Sequence, residues 1–258
     1  MLRSIAIATL IFASVTFVWA GDGNTFQWQG EMTPGQTLAI RGISGNVTAD
    51  LAPDTLAQVT ATISDASQAQ VQAVATDDGV LICEVFPGFP NGQADTCGGH
   101  STSLVRNPAQ VTITVHVPAG VALDVAIVSG DIRATGLTGD FKGATVNGQI
   151  AISVNGSAQA STVNGSIVAV LGSVEWTGTR SFTTLNGSID ATIPASADVT
   201  VHAATVRGTV SSDFPLSANG FGGVSCGMAP TLNGTLGSGG RNLDLTTVNG
   251  SIHLRKAK

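Results

Sequence analysis

The hexapeptide Thr-Val-Asn-Gly-Ser-Ile stands at 162–167 and again at 247–252, with near copies TVNGQI at 145–150 and TLNGSI at 184–189. Weaker copies, IVSGDI at 127–132 and TVRGTV at 205–210, share the frame, and RGISGNVTADL at 41–51 is a fainter one. Set in one register, the glycines are Gly130, Gly148, Gly165, Gly187 and Gly208, separated by 18, 17, 22 and 21 residues. Gly250 follows Gly208 by 42 residues, twice that step, which predicts a decorated unit between them. A unit of about 20 residues cannot bury its own apolar side, whereas copies stacked on one another can.

The letters themselves predict strand, corner, strand. Asn-Gly tolerates the positive φ of a tight corner, so Asn147, Asn164, Asn186 and Asn249 with their glycines are read as structural corners. The flanking Thr-Val and Ser-Ile are β-branched residues that suit a pleated surface. Alternation confirms the period in IDATI at 189–193 and VTITVHV at 111–117, and 66–76 is read as strand-bearing too. The expected fold is all-β, a β-helix-like β-solenoid of ~20-residue coils with aligned corners. Hairpins in a barrel or sandwich also use Asn-Gly turns, but unrelated hairpins have no reason to share strand letters as well.

Composition sets the outer bounds. Of 258 residues 43% are hydrophobic and 11% charged, which is a globular balance. Residues 1–20, with Arg3 before an apolar run that ends in Val18-Trp19-Ala20, read as a signal peptide, so the expected mature domain is 21–258. An uncleaved anchor is the alternative. No later stretch approaches the ~20 apolar residues of a membrane span. Without Arg3 the chain has 10 basic and 17 acidic residues, net −7, which argues against nucleic acid as a partner. The one basic cluster, HLRKAK at 253–258, reads as a solvated terminus.

Two segments depart from the repeat: the Pro/Gly/Cys-containing 83–103 and the Gly-rich 219–240, both expected as loop insertions. Cys83 and Cys97 flank a loop of about 15 residues, whose closure by a disulfide stabilises by roughly 3 kcal/mol in the chain-entropy picture. That pairing is favoured, although sequence alone leaves connectivity open, and Cys226 is then a buried thiol or an alternative partner.

Residues that could carry chemistry are sparse. Ser225, in GVSCG at 223–227, fits G-x-S-x-G but has no helix after it. His100, His116, His202 and His253 lack metal-ligand spacing, and three scattered cysteines make no zinc site, so neither metal nor cofactor is expected. Asn46, Asn155, Asn164, Asn186, Asn233 and Asn249 match the glycosylation pattern, five of them as by-products of the corner. Asp131, Asp140 and Asp190 sit at different offsets from nearby glycines, so no catalytic carboxylate cluster is expected of them.

GQTLAIRGISGNVTAD at 35–50, followed by serial VNGSI corners in an exported chain, resembles the bacterial "putative adhesin" family of unknown function. The resemblance covers most of 35–258 and implies a β-solenoid at the cell envelope, in the periplasm or at the surface. It supplies no catalytic residues. The function it implies is non-enzymatic, an adhesin or scaffold presenting an extended β-surface to a protein or glycan. The alternatives are a polysaccharide-active enzyme on the same scaffold and an envelope-stress accessory factor.

Overall fold

The computed structural model describes residues 16–17, 24–86, 97, 109–219 and 230–257. Most of 1–20 and of 83–103, and 220–229 within 219–240, therefore lie outside the described residues, as do His100, Ser225 and Cys226. The described residues form 22 strands and no helix, arranged in two eleven-stranded sheets.

Consecutive strands in the middle of the chain alternate between the sheets. Ile132–Leu137, Ile150–Val154, Ile167–Leu171 and Ile189–Ile193 are parallel neighbours in the first. Ala122–Ala126, Phe141–Asn147, Ala158–Asn164 and Thr179–Asn186 are parallel neighbours in the second. Each two-strand unit thus lies on the previous one, and its isoleucines come into line: Ile132, Ile150, Ile167, Ile189 and Ile252 are all at most 1% exposed. Alternation of side chains along a strand sends every second residue into the space between the sheets. The filling is complementary in volume. Phe182 pairs with Ala160, and Gly143 leaves room for the ring of Phe141, which an added Cβ would approach to 2.8 Å.

At both ends the stacking order departs from the chain order. Thr37–Arg41 and Val47–Leu51 lie on Ala122–Ala126 and Ile132–Leu137, and outside them lie Gly79–Val85 and Val111–Val117. At the other end Asn242–Asn249 and Ile252–Lys256 lie directly on Thr179–Asn186 and Ile189–Ile193. Val199–Arg207 and Val210–Ser212 are outside those. The expected decorated unit between Gly208 and Gly250 is therefore replaced by a different arrangement. Thr231–Leu236 turns back antiparallel along Val199–Arg207, so the last copy pairs with the opposite side of that strand.

Antiparallel strands finish the sheets. Leu56–Ile63 lies against Val111–Val117 with Thr25–Glu31 beyond it, and Gln70–Thr76 lies against Gly79–Val85. Cys83 and Cys97 are joined by a disulfide, their Cα atoms 5.6 Å apart.

Candidate functional site

The recurring letters converge into columns, and each letter has its own physical task. The glycines stack in the order Gly45, Gly130, Gly148, Gly165, Gly187, Gly250, Gly208. A Cβ at Gly148 or Gly165 would lie 1.8 Å from the carbonyl oxygen of the preceding glycine, and one at Gly187, Gly250 or Gly208 would lie 2.0 Å from it. Positive φ occurs at Gly45, Gly130 and Gly208 but not at the four central glycines. Close backbone approach, not backbone twist, is what demands glycine in the centre.

Threonine supplies the second column. Thr145, Thr162, Thr184, Thr247 and Thr205 are at most 5% exposed. Each Oγ1 donates to the carbonyl of the neighbouring unit's glycine, at 2.8–3.2 Å. The hydroxyl thus satisfies a half-buried carbonyl that the corner turns out of the ladder. Asparagine forms the third column: the amide of Asn164 donates to Asn147, Asn186 to Asn164 and Asn249 to Asn186, each at 2.8 Å. The run is bounded by Ser129 and Arg207, which occupy the same register.

A second constellation lies at the far end of the same second-sheet strands, where the chain enters them. An open pocket of about 220 Å³ is lined by Thr37, Asp124, Asp140, Lys142, Ser157, Gln159 and Arg180, above Leu123 and Phe141. Arg41 forks onto Asp124 through Nη1 at 3.2 Å and Nη2 at 3.1 Å. Ser157, itself 5% exposed, donates to Asp140 at 2.7 Å and accepts from Nε of Arg180 at 3.0 Å. Lys142 reaches Asp124 only at 3.8 Å, and Nη2 of Arg180 reaches Asp140 only at 3.7 Å.

This cluster was legible in principle. Lys142 is in register with Asp124 and with Gln159, steps of 18 and 17 residues that repeat those from Gly130 to Gly148 and Gly165. Offsets measured from the nearest glycine hide that register.

The remaining sequence candidates are dispersed. Asp131 accepts from the backbone of Gln149 at 2.8 Å, and Asp190 accepts from Nε and Nη2 of Arg255 at 3.0 and 2.8 Å. His116 pairs with Asp50, His202 with Asn233, and His253 with Ser211 at 2.7 Å. Among the described residues no three His, Cys, Asp or Glu groups are placed to hold a metal. Asn164, Asn186 and Asn249 use their amide nitrogens in the ladder, so a glycan there would break it. Asn46 accepts from the backbone of Asp131 at 2.9 Å.

Sequence reading also missed Glu84. It is 8% exposed and accepts from the backbone N–H of Ile43 at 2.6 Å, while its other oxygen has no partner among the described residues. Burial pushes its carboxyl above the ordinary glutamate value, against the two backbone N–H groups of Ile43 and Ser44 that favour the charged form.

No protein-family model and no curated protein matches the sequence. Solved structures do. One is a "putative cell adhesion protein" from Clostridium sporogenes ATCC 15579, with TM-score 0.50 and 12% identity, covering 90% of this chain and 100% of that one. Another is a "putative adhesin" from Bacteroides fragilis NCTC 9343, with TM-score 0.34 and 12% identity, covering 90% of this chain and 98% of that one. At such identity the likeness to the Clostridium protein is one of fold.

Proposed function

We propose that this chain is an exported, non-enzymatic protein of the cell envelope that presents an extended β-surface to a glycan or protein partner. In this reading 21–258 is one β-solenoid domain of ~20-residue coils, released from a signal peptide at 1–20, with loop insertions at 83–103 and 219–240. The observation that carries it is the outward register. Across adjoining units the second sheet exposes Ser161, Thr183 and Thr246, a repeated polar row on a parallel frame, with the exposed Val163 and Leu185 between it and the asparagine ladder. The disulfide between Cys83 and Cys97 suits an oxidising compartment. No helix among the described residues is long and apolar enough to cross a membrane. The similarly folded Clostridium protein is named for cell adhesion, which accords with a binding role.

The test is a binding screen of the intact folded protein against envelope polysaccharides and surface proteins. Saturable binding to one class is expected, and a blank screen with folded protein overturns the reading. N-terminal sequencing of the exported form checks the compartment, with Gly21 expected as the first residue.

A further inference from the structure

The geometry points to the pocket between Asp124 and Arg180 as a site for an acidic sugar, one carboxylate-bearing residue of a glycan chain. This rests on the glycan-binding arm of the reading above and names both the site and the ligand class. Three observations support it.

The first is electrostatic. The chain carries a net charge of −6, yet this pocket has a local cationic excess. Arg41 neutralises Asp124 from outside the lining through two short contacts, leaving Lys142 and Arg180 against Asp140. The Lys142 side chain is 58% exposed and its ammonium meets its carboxylate only at 3.8 Å, as does Nη2 of Arg180 at 3.7 Å. Both separations exceed hydrogen-bonding distance, so two cationic donors keep capacity for an anion.

The second is preorganisation. Arg180 is 22% exposed and is anchored through Nε to the buried Ser157, which also holds Asp140. An incoming carboxylate finds the guanidinium already oriented, which lowers the ordering cost of binding.

The third is size and lining. A volume of about 220 Å³ is below the ~300–1,000 Å³ of sites for drug-sized ligands, which suits a single ring and not a folded epitope. Its mouth is open to solvent, so the rest of a chain need not be enclosed. Gln159, Thr37 and the outer oxygen of Asp140 offer donors and acceptors for ring hydroxyls. Phe141 is 2% exposed and gives no stacking face, so charge and hydrogen bonds must supply recognition.

The experiment is calorimetric titration of the full chain with tri-galacturonate, its methyl ester and a neutral galactose trimer. Tri-galacturonate is expected to bind, with the ester at least about tenfold weaker, the loss of one charge-assisted hydrogen bond. Lys142→Ala should weaken the acid about tenfold with an unchanged melting temperature, and Lys142→Arg should retain binding. Equal binding of acid and ester, or no loss in Lys142→Ala, overturns the site. Complete displacement by equimolar inorganic sulfate overturns the sugar and leaves a bare anion site. If tri-galacturonate fails while another glycan or a surface protein binds, only this inference falls; if nothing binds, the parent reading falls with it.

Discussion

The middle of the molecule, residues 122–193, and its two ends are built from the same strands yet obey different rules. In the middle each unit rests on the unit just before it in the chain, so register partners such as Ile150 and Ile167 are 17 residues apart. At the ends the partners are distant: Val47 pairs with Ile132, and Ile189 with Ile252. The middle is written locally, while the ends require the chain to leave, turn and return between strands already placed. Loop closure must precede those contacts, so the ends are expected to order last.

The same division separates the devices that hold the corners. In the middle a threonine hydroxyl meets each glycine carbonyl and asparagines link side by side. At the first end, where Ile127 stands in the threonine position and has no hydroxyl to donate, a different device appears: a buried Glu84 accepts from the backbone N–H groups of Ile43 and Ser44. A repeatable hydroxyl donor gives way to a single titratable acceptor.

Removing residues 241–258 strikes the end hardest, because it extracts the unit that joins 179–193 to 199–212. Protease protection of 199–212 and 231–236 should be lost entirely while 122–171 stays protected. Survival of those two segments would show that the outer unit does not depend on the inserted one.

Gly165→Ala attacks the middle. Its Cβ would meet the Gly148 carbonyl at 1.8 Å, backbone that cannot yield, so a loss of at least about 4 kcal/mol is expected in denaturant melts. A loss under about 1 kcal/mol, the propensity scale for glycine and alanine, would mean that the column is not a steric requirement.

Thr184→Val keeps shape and removes the hydroxyl. The orphaned Gly165 carbonyl should cost about 1–3 kcal/mol, and Thr205→Val at the outer unit should cost less because opening there is easier. Equal costs would erase the contrast between middle and end.

Glu84→Gln should give the smallest effect and the one that depends on pH. Burial raises the Glu84 carboxyl in the folded state, so the folded protein holds this proton more tightly than the unfolded chain. Its contribution is most favourable below the ordinary glutamate pKa and is lost as pH rises through the folded value. The variant should melt like the parent in acid and above it at neutral pH. A pH-independent difference would show that Glu84 does not titrate in this range.

What could be read from the letters follows the same line. The glycine and asparagine columns were legible because their partners recur at a near-constant step. The threonine hydroxyl was not, since β-branching alone accounted for that residue until the carbonyl above it was seen. The order of the last two units was hidden because Gly250 keeps the step from Gly208 without being its successor. The pocket was hidden because its residues share a register and not a motif.

The asparagine-glycine corner also bears on how long the molecule lasts. In a flexible chain this pair ages by deamidation: the glycine nitrogen attacks the asparagine side chain, an imide ring closes, ammonia leaves, and water then opens the ring to aspartate or isoaspartate. Here the N–H groups of Gly148, Gly165, Gly187 and Gly250 are each donated to the neighbouring unit at 2.9–3.0 Å, and the ladder fixes the amides they would attack. Chemical ageing should therefore begin only where units open, and each aspartate formed would place a negative charge in a column built for neutral amides, loosening the next corner in turn.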